Sequence, residues 1–369
     1  MVHKKIVIIA GEDSGDLHGS QLIKALKQSN ETYEFYGIGG EKMIKQGLTP
    51  IEHIKNLNVI GLIEVLKHYP RIKMIFNKTL AFIKKTQPEK VILIDYPGFN
   101  LRLAKKISKM GIEISYFILP QVWAWRSSRA KTLKQNTNKR ISIIPLEKDW
   151  FKKRNIEISY VGNPLIALQN IRADKNLLYE KYSISSNDKV VALMPGSRKS
   201  EIQKHWPIFL QTLDLLQKQS SHNIVPVLLE APNVAIDNIP DNVITTKENH
   251  YEILSVSDAA IVSSGTATLE TAILGCPMVV CYKLSSVTWF LAQKMSSVKY
   301  LSLVNLISDK NVVKELLQNE MNASNIAEQV IYLLSREGRE TTKAEYHELI
   351  NSLTSKTNPY KEAAKYILQ

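Results

Sequence analysis

An α/β architecture of two Rossmann-like domains facing each other across a cleft is what this sequence predicts, on three observations. Strand-sized apolar runs alternate with amphipathic helical stretches, the pattern of parallel sheets. The alternation halts at Tyr160-Val-Gly-Asn-Pro-Leu165, a strand end with a Pro-containing linker, and then restarts for a second series of similar length. The chain of 369 residues also exceeds what one hydrophobic core usually organises.

In the first series, strands are expected at Lys5–Ala10, Glu34–Gly37, Lys90–Asp95, Glu113–Phe117 and Arg140–Ile144, with helices such as Leu17–Gln28 and Leu101–Met110 between them. The second series places strands at Lys189–Met194, Ile224–Leu229, Val243–Thr245, Ala259–Val262 and Met278–Tyr282, and helices at Glu201–Lys218 and Thr266–Leu274. The domains are therefore expected at residues 1–163 and 164–342. Residues 343–369 read as helices long enough to pack back on the first domain.

Hydrophobic content of 44% is ordinary for a globular protein, and the longest apolar runs are strand-sized, well short of the ~20 residues that span a bilayer. The run after Met1-Val-His-Lys-Lys5 ends in Gly11-Glu12-Asp13 rather than a small-residue cleavage site, so it reads as a first strand and not a signal peptide. The two cysteines, Cys276 and Cys281, lie in apolar surroundings without metal-ligand spacing, which suits a reduced compartment. A formal net charge of +13 suits an acidic partner such as a nucleotide sugar or an anionic membrane surface. Nucleic acid is not expected, because the lysines are spread along helices and no nucleic-acid motif is present.

Ligands of parallel α/β sheets bind beyond the carboxyl ends of the strands, which directs attention to five loops. Ser263-Ser264-Gly265 joins a strand to a helix, and such a turn aims free backbone N–H groups and a helix dipole at one point. It suits a phosphate, or makes Ser264 or Thr266 a plain N-cap. No lysine follows as in the ATP-type loop. Glu270, one helical turn past Thr266, is placed to accept from a ribose. Pro195-Gly-Ser-Arg-Lys-Ser-Glu-Ile202 offers Gly196 for close backbone approach and Arg198 for bidentate phosphate binding, with Ser200 and Glu201 as possible caps. Gly11-Glu-Asp-Ser-Gly-Asp16 carries three carboxylates that would repel a pyrophosphate, so it fits a wall for a polar acceptor. Asp95 ends a wholly apolar strand, where a carboxylate is costly unless hydrogen-bonded or exposed. It is either an N-cap or a general base. Gln121-Val-Trp-Ala-Trp-Arg126 sets two tryptophans beside arginine, suited to a sugar- or lipid-facing wall or simply to packing.

Together, Gly11-Glu12-x-Ser14-Gly15-Asp16, Ile94-Asp95-x-Pro97-x-Phe99-Asn100, Gln121-Val-Trp-Ala-Trp-Arg126, Pro195-Gly-Ser-Arg-x-Ser-Glu-Ile202 and Ser264-Gly-Thr-Ala-Thr-Leu-Glu270 resemble the lipid-A-disaccharide synthases, glycosyltransferases of the two-domain GT-B type. The Val-Trp-Ala-Trp-Arg string is the most discriminating. One departure is Asn163, where the family pattern leads one to expect histidine. The resemblance implies an inverting transfer from UDP-2,3-diacylglucosamine to 2,3-diacylglucosamine 1-phosphate (lipid X), releasing UDP. It implies no cofactor and no metal, and the sequence has no Asp-x-Asp motif. On this reading Asp95 is the base, and Glu12, Ser14, Asp16, Asn100, Trp123 and Arg126 form the acceptor side. Gly196, Ser197, Arg198, Ser264, Gly265, Thr266, Thr268 and Glu270 grip UDP. Such an enzyme is expected in the cytoplasm, attached peripherally to the anionic surface of the inner membrane.

Val59–Phe76, rich in large apolar residues interleaved with Lys67, Arg71 and Lys73, is either an interfacial segment carrying Ile60, Leu62, Val65 and Leu66 to the bilayer or a pair of core helices. Rival readings are a cell-wall N-acetylglucosamine transferase, whose Gly-Gly-x-Gly-Gly-His loop is missing here, a UDP-N-acetylglucosamine epimerase, and a non-catalytic membrane-binding protein.

Overall fold

The computed structural model describes residues 4–29, 31–57, 69–124, 127–231, 234–285, 289, 299–355 and 357–369. The chain divides into two compact units, Met1–Pro164 with Ser355–Gln369, and Leu165–Thr354.

The first unit holds a seven-stranded parallel sheet made of β1 (Lys4–Ile9), β2 (Tyr33–Gly39), β3 (Leu48–His53), β4 (Lys90–Ile94), β5 (Glu113–Phe117), β6 (Lys139–Ser142) and β7 (Ser159–Tyr160). Their spatial order is β3-β2-β1-β4-β5-β6-β7. Alternate residues of the central strands feed two cores. Val7, Ile9, Val91 and Leu93 pack on the side of helices Tyr69–Thr86 and Pro97–Ile107. Ile6, Ile8, Ile92 and Ile94 pack on the side of helices Asp13–Leu26 and Pro359–Leu368. Burial on both faces is why these strands read as unbroken apolar runs.

The second unit repeats the scheme with six parallel strands, β8 (Lys189–Met194), β9 (Ile224–Leu229), β10 (Ile244–Thr246), β11 (Ala259–Ser263), β12 (Met278–Tyr282) and β13 (Lys314–Leu317), in order β10-β9-β8-β11-β12-β13. Val191, Leu193 and Ile261 face one core, and Val190, Ala192 and Val262 the other.

Several expectations need correction. β4 ends at Ile94, so Asp95 lies outside the strand. The first helix begins at Asp13 rather than Leu17, taking Asp13 and Asp16 into its first turn, where the dipole favours carboxylates. The expected boundary at residue 343 falls inside helix Arg336–Leu353, which belongs to the second unit, so only residues 355–369 return to the first. β3, β7 and β13 were not foreseen, because these short strands at or near sheet edges lack an apolar run, and β3 carries Pro50. Among the described residues no helix is long and apolar enough to cross a membrane. Ile60, Leu62, Val65 and Leu66 lie outside the described residues. Of the same segment, Tyr69 and Met74 are described and exposed.

Candidate active site

In each sheet the chain order reverses between two neighbouring strands, β1 and β4 in the first unit and β8 and β11 in the second. The loops after these strands flank the position where open parallel sheets bind ligands.

Asp95 follows β4 directly. It and Tyr96 both adopt left-handed backbone conformations, with φ of 42° and 46°, which cost of order 1 kcal/mol or more for non-glycine residues. The surroundings hold this turn in place. The Asp95 N–H donates to the Phe117 carbonyl at 3.1 Å, and the Asp95 carbonyl accepts from Asn100 Nδ2 at 2.8 Å and from the Tyr116 hydroxyl at 2.5 Å. Asn100 is fully buried and also donates to the Ile94 carbonyl at 3.1 Å. It therefore acts on the backbone beneath the carboxylate rather than facing an acceptor. Burial, reinforced by the negative charge of Glu12, pushes the Asp95 carboxyl up to about 6.

Gly11 lets the loop after β1 approach this turn, since a β-carbon there would meet the Tyr96 ring at 2.2 Å. Glu12 and Ser14 are exposed at the start of the first helix. Asp16 is different. It is buried and accepts from the backbone N–H groups of Gly40 (2.7 Å), Lys42 (3.1 Å) and Met43 (3.1 Å), so both oxygens cap helix Glu41–Lys45. This corrects its expected place on the acceptor wall. His18 is part-buried and hydrogen-bonds the Tyr360 hydroxyl at 2.9 Å, and burial lowers it to about 4.

Trp123 is buried, and its indole N–H donates to Glu147 at 2.9 Å. Glu147 also pairs with the Ser142 hydroxyl, and complete burial pushes it up to about 8. Ser142 Oγ meanwhile donates to the Ile144 carbonyl at 3.0 Å. One hydroxyl proton cannot serve both partners, so a protonated Glu147 donating to Ser142 completes the network. Arg126 lies outside the described residues.

In the second unit, Gly196 has φ 128° and leaves room for Glu201, whose Oε2 would lie 2.6 Å from a β-carbon there. Glu201 accepts from the Ser197 N–H at 3.1 Å, from Arg198 Nη1 at 3.0 Å and from the Tyr282 hydroxyl at 3.1 Å. It thus braces the loop that leads into helix Lys199–Gln219 and orients the arginine as well. One turn further on, His205 is fully buried. Its Nε2 accepts from the Lys283 N–H at 3.1 Å, which leaves the proton on Nδ1, 2.8 Å from the Pro195 carbonyl and 2.9 Å from Ser263 Oγ. One neutral imidazole therefore ties together the ends of β8, β11 and β12.

After β11, Gly265 has φ 142°, and a β-carbon there would meet nothing within 4 Å. Thr266 is exposed at the N-terminus of helix Thr266–Ile273. Thr268, expected as a ligand donor, is fully buried, and both its hydroxyl (2.8 Å) and its N–H (3.2 Å) point to the Gly265 carbonyl. Ser264 Oγ donates to the Leu301 carbonyl at 3.3 Å. Glu270 accepts from the Tyr251 hydroxyl at 3.3 Å, and burial raises its carboxyl above the usual range. Among the described residues no group of three or more His, Cys, Asp or Glu could hold a metal ion.

The family model for lipid-A-disaccharide synthetase matches residues 6–368. A lipid-A-disaccharide synthase from Trichlorobacter lovleyi is 34% identical over 90% of this chain and 88% of its own length. One from Sulfurihydrogenibium sp. is 34% identical over 99% of this chain and 97% of its own. The chain belongs to the lipid-A-disaccharide synthase family. It is thus a hexosyltransferase of lipid A biosynthesis. Solved structures agree in fold. The glycosyltransferase of kitacinnamycin superposes with a TM-score of 0.68 at 12% identity, covering 100% of this chain and 99% of that one. The UDP-GlcNAc 2-epimerase from Neisseria meningitidis gives 0.60 at 16%, covering 99% and 98%. At such identities the likeness concerns the GT-B fold alone.

The sequence strings pointed to loops that lie at the strand ends of both sheets, but not to Tyr116, Glu147 and His205. Their partners lie on other strands, so no local spacing marks them. Only the i, i+4 pair Glu201 and His205 was visible as a polar stripe on an otherwise amphipathic helix.

Proposed function

We propose that the chain condenses UDP-2,3-diacylglucosamine with 2,3-diacylglucosamine 1-phosphate by a single inverting displacement. Asp95 accepts the proton of the acceptor 6-hydroxyl as its oxygen bonds to C1 of the donor sugar. The C1–O bond to the diphosphate breaks, UDP leaves, and a β-linked tetraacyl disaccharide 1-phosphate results. The observation that carries this reading is Asp95 itself, a carboxyl raised to about 6 on a braced turn at the switch point of the first sheet. A base with a pKa near the working pH combines the right protonation state with proton affinity.

In the second unit, Arg198 and the free N–H groups at Gly265 and Thr266 neutralise the departing diphosphate, and Glu270 with Tyr251 holds the ribose hydroxyls. Ser197 and Gly196 shape the loop. In the first unit, Glu12 and Ser14 are the exposed acceptor-side groups, and the buried Trp123 supports the acceptor side through its bond to Glu147. Both substrates carry acyl chains, so the protein works at the cytoplasmic face of the inner membrane, and its net charge of +13 favours that anionic surface.

The test mixes the purified chain with UDP-2,3-diacylglucosamine and 2,3-diacylglucosamine 1-phosphate and follows disaccharide and UDP. Release of UDP only in the presence of acceptor, with disaccharide formed in equal amount, is expected. Turnover of UDP-GlcNAc without acceptor would instead mark an epimerase.

A further inference from the structure

Beside the Asp95 turn, the first unit carries a groove of about 630 Å³, within the ~300–1,000 Å³ range of small-molecule sites. Its wall is apolar and aromatic. Phe76 packs edge-on to Phe99 with ring centroids 5.4 Å apart, Tyr96 lies 6.1 Å from Phe99, and Ile72 continues the wall. The rim is basic, with Lys73, Arg102, Lys105 and Lys106, none of which pairs with a carboxylate among the described residues. Among the described residues no acidic side chain lines the groove. Against it lies a smaller recess of about 240 Å³, which shares Gly98, Arg102 and Lys105 and adds Arg129 and Thr132.

An apolar trough that opens into a hydroxyl- and guanidinium-lined recess matches one class of molecule, an acyl chain attached to an anionic head. Four exposed cations on one rim, none paired with a carboxylate among the described residues, make a positive patch that attracts an anion. The arginines supply the fork geometry that suits a phosphate monoester. Because Tyr96 and Gly98 belong to the same turn as Asp95, whatever fills the groove lies next to the proposed base.

We infer that this groove and recess form the acceptor site, with an acyl chain along Ile72, Phe76 and Phe99 and the 1-phosphate on Arg102, Lys105 and Arg129. The inference rests on the proposed function for the identity of the acceptor, but not for the chemistry of the site.

Two measurements on the full chain test it, using Arg102→Glu/Lys105→Glu and, as a control for bulk charge, Lys84→Glu/Lys85→Glu on the far end of helix Tyr69–Thr86. The first is calorimetric titration with monomeric dodecyl phosphate and with neutral dodecyl maltoside. The unaltered chain should bind the phosphate at least tenfold more tightly, since charge-assisted hydrogen bonds are the strong ones. The first variant should lose that preference and the control should keep it. The second measurement is the KM for detergent-dispersed acceptor with and without its 1-phosphate. The first variant should raise the KM for the phosphorylated acceptor at least tenfold while leaving the donor KM and the melting temperature unchanged.

Equal binding of the two amphiphiles by the unaltered chain, or an equal loss in the control, overturns the site. So does an acceptor KM unmoved in the first variant. A chain that selects dodecyl phosphate through Arg102 and Lys105 yet makes no disaccharide supports the amphiphile site and overturns only the proposed reaction.

Discussion

Arg198 Nη1 lies 3.0 Å from Glu201 Oε1, so the arginine proposed to meet the diphosphate is already aimed by a buried carboxylate. Glu201 also holds Ser197 and Tyr282, which makes it a positioning residue for the whole loop.

Arg198→Ala should weaken UDP binding by about 1.5–3 kcal/mol, the worth of a charge-assisted hydrogen bond, with little change in melting temperature because the side chain is largely exposed. Glu201→Ala should weaken UDP as much and also lower the melting temperature, since it leaves Ser197 N–H and the Tyr282 hydroxyl without their acceptor. Calorimetry with UDP and thermal melts on both variants separate the two effects. Equal stability of the two would remove Glu201 from its proposed role.

Asp95→Asn should reduce turnover by about 10²–10⁴-fold, as loss of a general base does. In the unaltered chain, kcat/KM should fall tenfold per pH unit below about 6, because the carboxyl must be ionised to accept a proton. A rate–pH profile checks this, and an acid limb that survived in Asp95→Asn would assign the base to another group.

Glu147 gives a stability signature of opposite sign to ordinary carboxylates. Its folded pKa, about 8, lies above the unfolded value, so its contribution is full below the unfolded pKa and is lost as pH rises through about 8. Glu147→Gln keeps an acceptor for Trp123 and a donor for Ser142, so it should melt near the unaltered chain at pH 7 and lose less stability between pH 7 and 9. Glu147→Ala leaves the Trp123 N–H unpaired, at about 1–3 kcal/mol. Melting curves across that pH range decide the matter.

His18 works in the other direction. Its folded pKa of about 4 lies below the ordinary value, so its contribution is present at neutral pH and is lost as pH falls from about 6.5 towards 4. Tyr360→Phe should lower stability by about 0.5–1.5 kcal/mol, the net worth of a hydrogen bond. Hydrogen exchange should locate that loss in helix Pro359–Leu368, and protection unchanged there would refute the link.

The alternation of apolar runs made both sheets legible, because parallel strands buried on two faces have no polar interruptions to hide them. The loops were legible too, since glycine, arginine and carboxylates at strand ends stand out against those runs. What each side chain does there was less so. Asp16 and Thr268 look like ligand groups in one dimension. In the fold they serve the backbone of Gly40 and Gly265, choices made by chain segments 24 residues away in one case and three in the other. His205 shows the converse, a residue with no motif around it whose partners come from the ends of three strands.

The return of residues 355–369 to the first unit fixes an order of events during synthesis. Ala363, Ala364 and Ile367 cover a core that also contains Ile6, Ile8, Leu22 and Ile23. Residues 1–164 leave the ribosome first, yet the part of that face beside helix Asp13–Leu26 that the last helix covers stays open while all of Leu165–Thr354 is translated, roughly 10–40 s at ~5–20 residues per second. The unit made second can therefore finish folding before the unit made first. A nascent chain stalled before residue 355 should expose an oily face that a ribosome-bound chaperone can occupy, and a first unit produced separately needs residues 355–369 spliced to its end.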